Sequence, residues 1–202
     1  MAATRADLTI EQGKTFTQVV RWEVEPYVTV AIEAITRANP VVITTSEAHG
    51  LVNGWNVAVV DALGMTDLNA GSNPPKESDF RRATVVDSTN ISFNGVSSAR
   101  FRAYRGGGYL QWLTPKDMSG YTARLSIKDE VGGTELLSLT TENDRIAIDN
   151  SAKLITLSLT AEDTEAITDW TSGVYDLELV SADDEVTALI TGKVKVTQEV
   201  TT

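Results

Sequence analysis

Apolar and polar residues alternate with a period of two through most of this chain. That restricts the fold to sheets with one buried face. Tyr121, Ala123, Leu125 and Ile127 alternate with Thr122, Arg124 and Ser126, and Tyr175, Leu177 and Leu179 with Asp176 and Glu178. Ile155, Leu157 and Leu159 form a third set; Val186, Ala188 and Ile190 a fourth, resumed by Val194 and Val196 after Gly192. Phe16, Val20, Trp22 and Val24 place large apolar groups on one early strand, with Gln18 as the exception. Thr and Val are frequent, and their branched Cβ suits a pleated surface.

Only one segment reads as helix. Thr160-Ala161-Glu162-Asp163 has the form of a capping box with Asp in place of Glu, predicting two turns over 161–168 before Trp170. Turn chemistry separates the strands. Val131-Gly132-Gly133-Thr134 predicts a hairpin between 121–128 and 134–140, and Glu142-Asn143-Asp144 and Asp149-Asn150-Ser151 flank a short strand over 145–148. The spacing after Gly120 is that of a sandwich.

The middle of the chain has shorter strands. They are expected over 28–35, 41–44, 55–60, 83–86, 91–93 and 109–113, a small-barrel pattern. Charge also divides the chain. Residues 27–113 hold seven Lys/Arg and seven Asp/Glu; the remainder holds ten and twenty-one, hence the whole net charge of −11. Removing 27–113 joins Trp22-Glu23-Val24-Glu25-Pro26 to Thr114-Pro115-Lys116 as strand, loop and strand. Insertions are tolerated where chain ends lie close in an exposed loop. The expected fold is therefore all-β: an immunoglobulin-like β-sandwich from 1–26 and 114–202, with a small β-barrel module inserted as 27–113.

The acidity opposes phosphate backbones, so nucleic-acid binding is not expected. With no cysteine there is neither a disulfide nor a thiolate nucleophile or metal ligand. The first residues lack an apolar stretch, so no cleaved secretory signal is expected, and no apolar run approaches a membrane span.

Candidate chemistry is sparse. His49, the single histidine, lies in the turn Ala48-His49-Gly50-Leu51 without a nucleophile motif and reads as a turn-stabilising group. Asp129-Glu130, Glu162-Asp163 and Asp183-Asp184-Glu185 read as solvated loop acids rather than a glycosidase pair. Glu142-Asn143-Asp144 and Asp149-Asn150 supply oxygens but lack calcium-loop spacing. Gly106-Gly107-Gly108 has no following Lys-Ser/Thr and reads as a flexible bend. No catalytic residue, cofactor site or metal site is expected. The one candidate binding feature is Arg100, Phe101, Arg102, Tyr104 and Arg105, a basic–aromatic cluster. It reads as an exposed strand or loop, with docking against an acidic neighbour and base stacking as alternatives. Exposed Trp55, Trp112 or Trp170 would suit a carbohydrate-binding module.

Both units carry resemblances. Leu8-Thr9-Ile10-Glu11-Gln12-Gly13-Lys14-Thr15-Phe16, Val20-Arg21-Trp22, Asp117-Met118-Ser119-Gly120-Tyr121-Thr122-Ala123-Arg124-Leu125 and Gly173-Val174-Tyr175-Asp176-Leu177-Glu178-Leu179 resemble the N-terminal β-sandwich of bacteriophage upper baseplate, tail and neck proteins. Ile35 to Thr45, Ala48-His49-Gly50-Leu51-Val52-Asn53-Gly54, Leu63-Gly64-Met65-Thr66-Asp67-Leu68-Asn69 and Gly106-Gly107-Gly108 look like the small β-barrel named after the first catalytic cysteine half-domain of ubiquitin-activating enzymes. Without cysteine, that enzyme's chemistry does not carry over. The resemblances imply a structural or adaptor component of a phage tail, neck or baseplate, made in the host cytoplasm and residing in the virion. Its partners would be other virion proteins and copies of itself in a symmetric assembly, with no membrane insertion. A carbohydrate-binding module for the host surface and a capsid decoration protein are the alternatives.

Overall fold

The computed structural model describes residues 3–198. Nearly all the regular structure is strand, and the chain divides into two compact units, 23–114 and the remainder on either side of it.

In the first unit the chain opens with β1 (Thr4–Arg5), β2 (Leu8–Glu11) and β3 (Phe16–Val20). The second unit contributes β4 (Glu23–Ile35), β5 (Val41–Thr45), β6 (Asn56–Val60), β7 (Arg81–Arg82), β8 (Thr84–Val85), β9 (Asn90–Phe93) and β10 (Tyr109–Pro115). The first unit resumes with β11 (Thr122–Lys128), β12 (Glu135–Thr140), β13 (Ile146–Asp149), β14 (Leu154–Leu159), α1 (Ala161–Glu165), β15 (Ser172–Val180) and β16 (Val186–Thr197).

These strands make a sandwich. One sheet has six strands in the order β16-β15-β11-β12, with β1 and β2 both pairing in parallel along β16; the other runs β13-β14-β3. In immunoglobulin lettering the sheets are B-E-D and G-F-C-C′, with the first strand moved across onto G. The barrel occupies the B–C connection. The alternating sets fill the space between the sheets: Ala123, Leu125, Ile127, Ile155, Leu157, Leu159, Leu177 and Leu179 are all buried. Burying each large aliphatic group contributes about 1.5–3 kcal/mol.

The seven strands of the second unit form a nearly closed barrel in the order β7-β6-β10-β4-β5-β9-β8. The two ends of this order, β7 and β8, are consecutive in the chain and separated only by Ala83. Its N–H donates to Trp55 O (2.8 Å) and its carbonyl accepts from Gly54 N (2.7 Å). One bent segment, 81–85, thus pairs with β6 on one side and β9 on the other. Inside lie Val30, Ile32, Val41, Ile43, Trp55, Met65, Leu68, Phe93, Leu110 and Trp112.

The structure departs from the sequence expectation in three places. The early strand is broken: β3 ends at Val20, while Val24 belongs to β4. Residues 23–26, expected at the sandwich join, open β4 instead, where Thr114 Oγ1 donates to Pro26 O (2.5 Å). The barrel unit therefore spans 23–114 rather than 27–113. The helix stops at Glu165, one turn rather than two. Its capping box is formed as read, with Thr160 Oγ1 accepting from Asp163 N (3.1 Å) and Asp163 Oδ2 accepting from Thr160 N (2.9 Å).

Candidate interaction surface

The basic–aromatic cluster forms no strand; residues 100–105 are an ordered loop on the barrel, fixed at several points. Ser98, fully buried, donates from Oγ to Thr36 O (2.7 Å) and accepts from Ala38 N (3.0 Å). Phe101 N then donates to Ser98 O (3.0 Å), and Arg37 Nη2 to Ala99 O (3.1 Å). Arg105 N donates to Leu63 O (2.8 Å), and Leu63 N to Gly106 O (3.0 Å).

The two aromatics of the cluster turn inward. Phe101 and Tyr104 are partly buried and pack on the barrel core. The Tyr104 hydroxyl lies 2.9 Å from Ile32 O and 2.8 Å from Gly107 O, and burial raises its pKa. Neither ring offers a fully free stacking face. The arginines turn outward: Arg100, Arg102 and Arg105 are exposed, and none has an ion-pair partner among the described residues. Beside Arg105, Leu63 is 61% exposed, and Tyr109, at the start of β10, is 44% exposed. Sequence reasoning did not single out either one. Leu63 lies outside the alternating sets, and nothing local marks it as exposed.

Gly106, Gly107 and Gly108 have φ of 110°, 68° and 81°. This is a fixed left-handed bend rather than a flexible one, a conformation open to glycine at little cost. A Cβ on Gly108 would lie 2.6 Å from Ala62 N, so the bend also needs the missing side chain for close approach.

The remaining candidates hold turns. His49 is buried; its Nδ1 accepts from Leu51 N (2.9 Å), so Nε2 carries the proton and donates to Asp87 O (2.9 Å). His49→Phe keeps ring volume but strands both partners. The expected loss is about 1–3 kcal/mol of barrel stability, read as a lower urea midpoint at unchanged m-value. An unchanged midpoint would show that the turn does not depend on the imidazole.

The oxygen-rich turns are occupied by internal hydrogen bonds. Asn143 Oδ1 accepts from Thr140 N (2.9 Å) and Arg145 N (3.2 Å), and Asn143 Nδ2 donates to Ser138 O (3.1 Å). Arg145 Nη1 donates to Ser138 O (3.3 Å) and Nη2 to Asp163 Oδ1 (2.5 Å). This network covers groups on the outer edge of β12, an edge otherwise open to another strand. Asn150 Nδ2 and Ser119 Oγ donate to Asp117 and hold its carboxyl down at about 2. Among the described residues, no three His, Asp or Glu side chains gather to hold a metal ion. Glu162, Asp183, Asp184 and Glu185 lie on exposed turns and caps.

Several other carboxylates are depressed for the same reason. Asp87 accepts first from Thr89 N and the Asn90 side chain, Asp79 from Lys76 N and Gly71 N, Asp149 from the Ser151 side chain and Ala152 N, and Asp163 from Thr160. A folded-state value below the unfolded one means that stability is present above the unfolded pKa of about 4 and lost as pH falls through the folded value. The melting temperature should therefore hold down to about pH 5 and fall below about pH 4. A level profile down to pH 2 would contradict this assignment.

Trp55 and Trp112 lie in the barrel core and Trp22 is buried in the first unit, edge-on to Tyr121 at 5.7 Å; only Trp170 is partly exposed. Two of the three tryptophans suited to a sugar platform are thus core groups. On the sandwich, the outer face of the six-stranded sheet forms an open groove of about 770 Å³. Its lining includes Arg5, Arg124, Lys128 and Lys193 as well as Glu130, Glu135, Asp176 and Glu178, so its charges balance.

The sequence matches no known family model and no curated protein.

Proposed function

We propose that this chain is a non-enzymatic structural adaptor of a bacteriophage particle, in the tail, neck or baseplate, holding fibres or receptor-binding proteins through protein–protein contacts. The observation that carries this reading is the loop at 98–108. A hydrogen-bonded backbone there displays three exposed arginines that have no ion-pair partner among the described residues, beside the largely exposed Leu63. Arginine on a preformed surface is what contact surfaces use, because little side-chain and loop order remains to be imposed on binding. The sequence resemblances of both units point to the same class. Its mechanism is geometry: the sandwich attaches on one side and the barrel, carried in the B–C connection, presents a second surface.

The test is to purify particles of a phage whose genome encodes this chain. Mass spectrometry should find the chain at a fixed stoichiometry, and labelled antibody should place it at the tail, neck or baseplate. Particles that are complete and infectious without it would overturn the reading.

A further inference from the structure

We infer that the arginine face of the barrel docks onto the acidic sandwich unit of a second copy of this chain. The inference rests on the adaptor reading in taking this face as a contact surface, and deepens it by naming the partner.

Charge distribution carries the argument. The barrel unit, 23–114, has seven Lys/Arg and nine Asp/Glu; the rest of the chain has ten and nineteen. Despite the acidic excess, Arg100, Arg102 and Arg105 have no carboxylate partner among the described residues. The sandwich unit holds complementary groups. Glu162, Glu165 and Asp169 are exposed around α1, as are Asp183 and Glu185 in the β15–β16 turn. None of these five pairs with a cation among the described residues, whereas Asp163 beside them is held by Arg145.

A nucleic acid is the other polyanion such a face could attract. The inward-turned Phe101 and Tyr104 leave no free ring among the arginines themselves, and a net charge of −11 repels a phosphate chain. A second copy, though it also carries −11, offers clustered carboxylates at contact range, and at physiological ionic strength distant charges are screened while contacting ones are screened much less. Because the two faces differ, the contact is either exchanged reciprocally across a two-fold axis or repeated head to tail. The reciprocal form stops at a dimer; the repeated form extends into a ring if the rotation closes and into a filament if it does not.

Sedimentation and light scattering of the full chain should show a mass that rises with protein concentration at physiological salt and falls as salt is raised well above it. The combined variant Arg100→Glu, Arg102→Glu, Arg105→Glu should stay monomeric, its self-affinity lowered at least about tenfold. Its far-UV circular dichroism should be unchanged, since the substituted side chains are exposed. Leu63→Asp should weaken association independently.

A charge-swapped mixture identifies the occupant. The triple arginine variant is mixed with a copy carrying Glu162→Lys, Glu165→Lys and Asp169→Lys, or with one carrying Asp183→Lys and Glu185→Lys. Recovery of a complex with either copy supports the inference. Three results would each overturn it: wild-type protein that stays monomeric at submillimolar concentration in physiological salt, association indifferent to the arginine changes, or failure of both swaps. A single-stranded oligonucleotide that binds the arginine face under the same conditions would also overturn it, in favour of a nucleic acid. In every one of those cases, finding the chain in purified particles would leave the adaptor reading standing.

Discussion

Gly192→Ala is expected to destabilise the sandwich by about 3 kcal/mol or more, because the added methyl has no space and the obstacle is main chain. A Cβ at this position would lie 1.7 Å from Ala6 O and 2.7 Å from Ala6 C. Ala6 cannot simply withdraw. Its N–H donates to Thr191 O (3.0 Å) and its carbonyl accepts from the Tyr175 hydroxyl (2.9 Å). Burial, reinforced by Asp7 and Asp176, pushes the Tyr175 pKa up to about 12, so the phenol remains a donor through the neutral range. Moving Ala6 away therefore breaks both attachments and loosens the parallel pairing of β1 and β2 on β16. Hydrogen exchange should speed up at 4–11 and 190–197 before it changes in the barrel. A variant with wild-type melting temperature and exchange would show that the close approach is not a constraint.

Trp55→Ala should cost the barrel about 3–5 kcal/mol, the usual range for removing a large aromatic from a core that collapses only partly. Trp55 is 1% exposed and packs among the aliphatic groups of the barrel interior. Its carbonyl accepts from Ala83 N (2.8 Å), at the bend where the segment 81–85 closes the strand order. The cavity would open beside the one joint that keeps β7 and β8 in register. Domains of this size are stable by about 5–15 kcal/mol, so the barrel would approach its unfolding threshold. The comparison is Val131→Ala at the tip of the β11–β12 hairpin, where the side chain is 91% exposed, and a change within about 0.5 kcal/mol is expected. Equal urea midpoints for the two variants would mean that Trp55 is not a core anchor.

Much of the sandwich was legible because its alternation is strong. Ala123, Leu125 and Ile127 lie buried on one face of β11, and Leu177 and Leu179 on one face of β15, as their spacing requires. The hairpin at 131–134 and the capping box at Thr160 follow from local turn and cap chemistry, which depends on neighbours in sequence. Residues 100–105 were less legible. Two aromatics among three arginines carry no sign of which groups face out, and local pattern left strand and loop both open. The barrel interior claims Phe101 and Tyr104, and among the described residues the loop meets only a single antiparallel bridge, Leu63 with Gly106, at its end. The strand through Trp22 failed for a related reason: Val24 pairs in a different unit from Val20, although the apolar spacing runs through both.

Alternation, turn residues and charge asymmetry were enough by themselves to set the all-β class, the positions of most strands and the expectation of an inserted module. A period of two assigns each side chain to a face of its own strand, and that information is local. Only the tertiary structure decided which strands are partners: that β1 and β2 run along β16 at the far end of the chain, that 81–85 closes the barrel from both sides, and that Leu63 stays exposed beside the arginines. Those outcomes depend on backbone groups finding partners far away in sequence and on which apolar groups the enclosed volume can accept. No stretch of neighbouring residues encodes either condition.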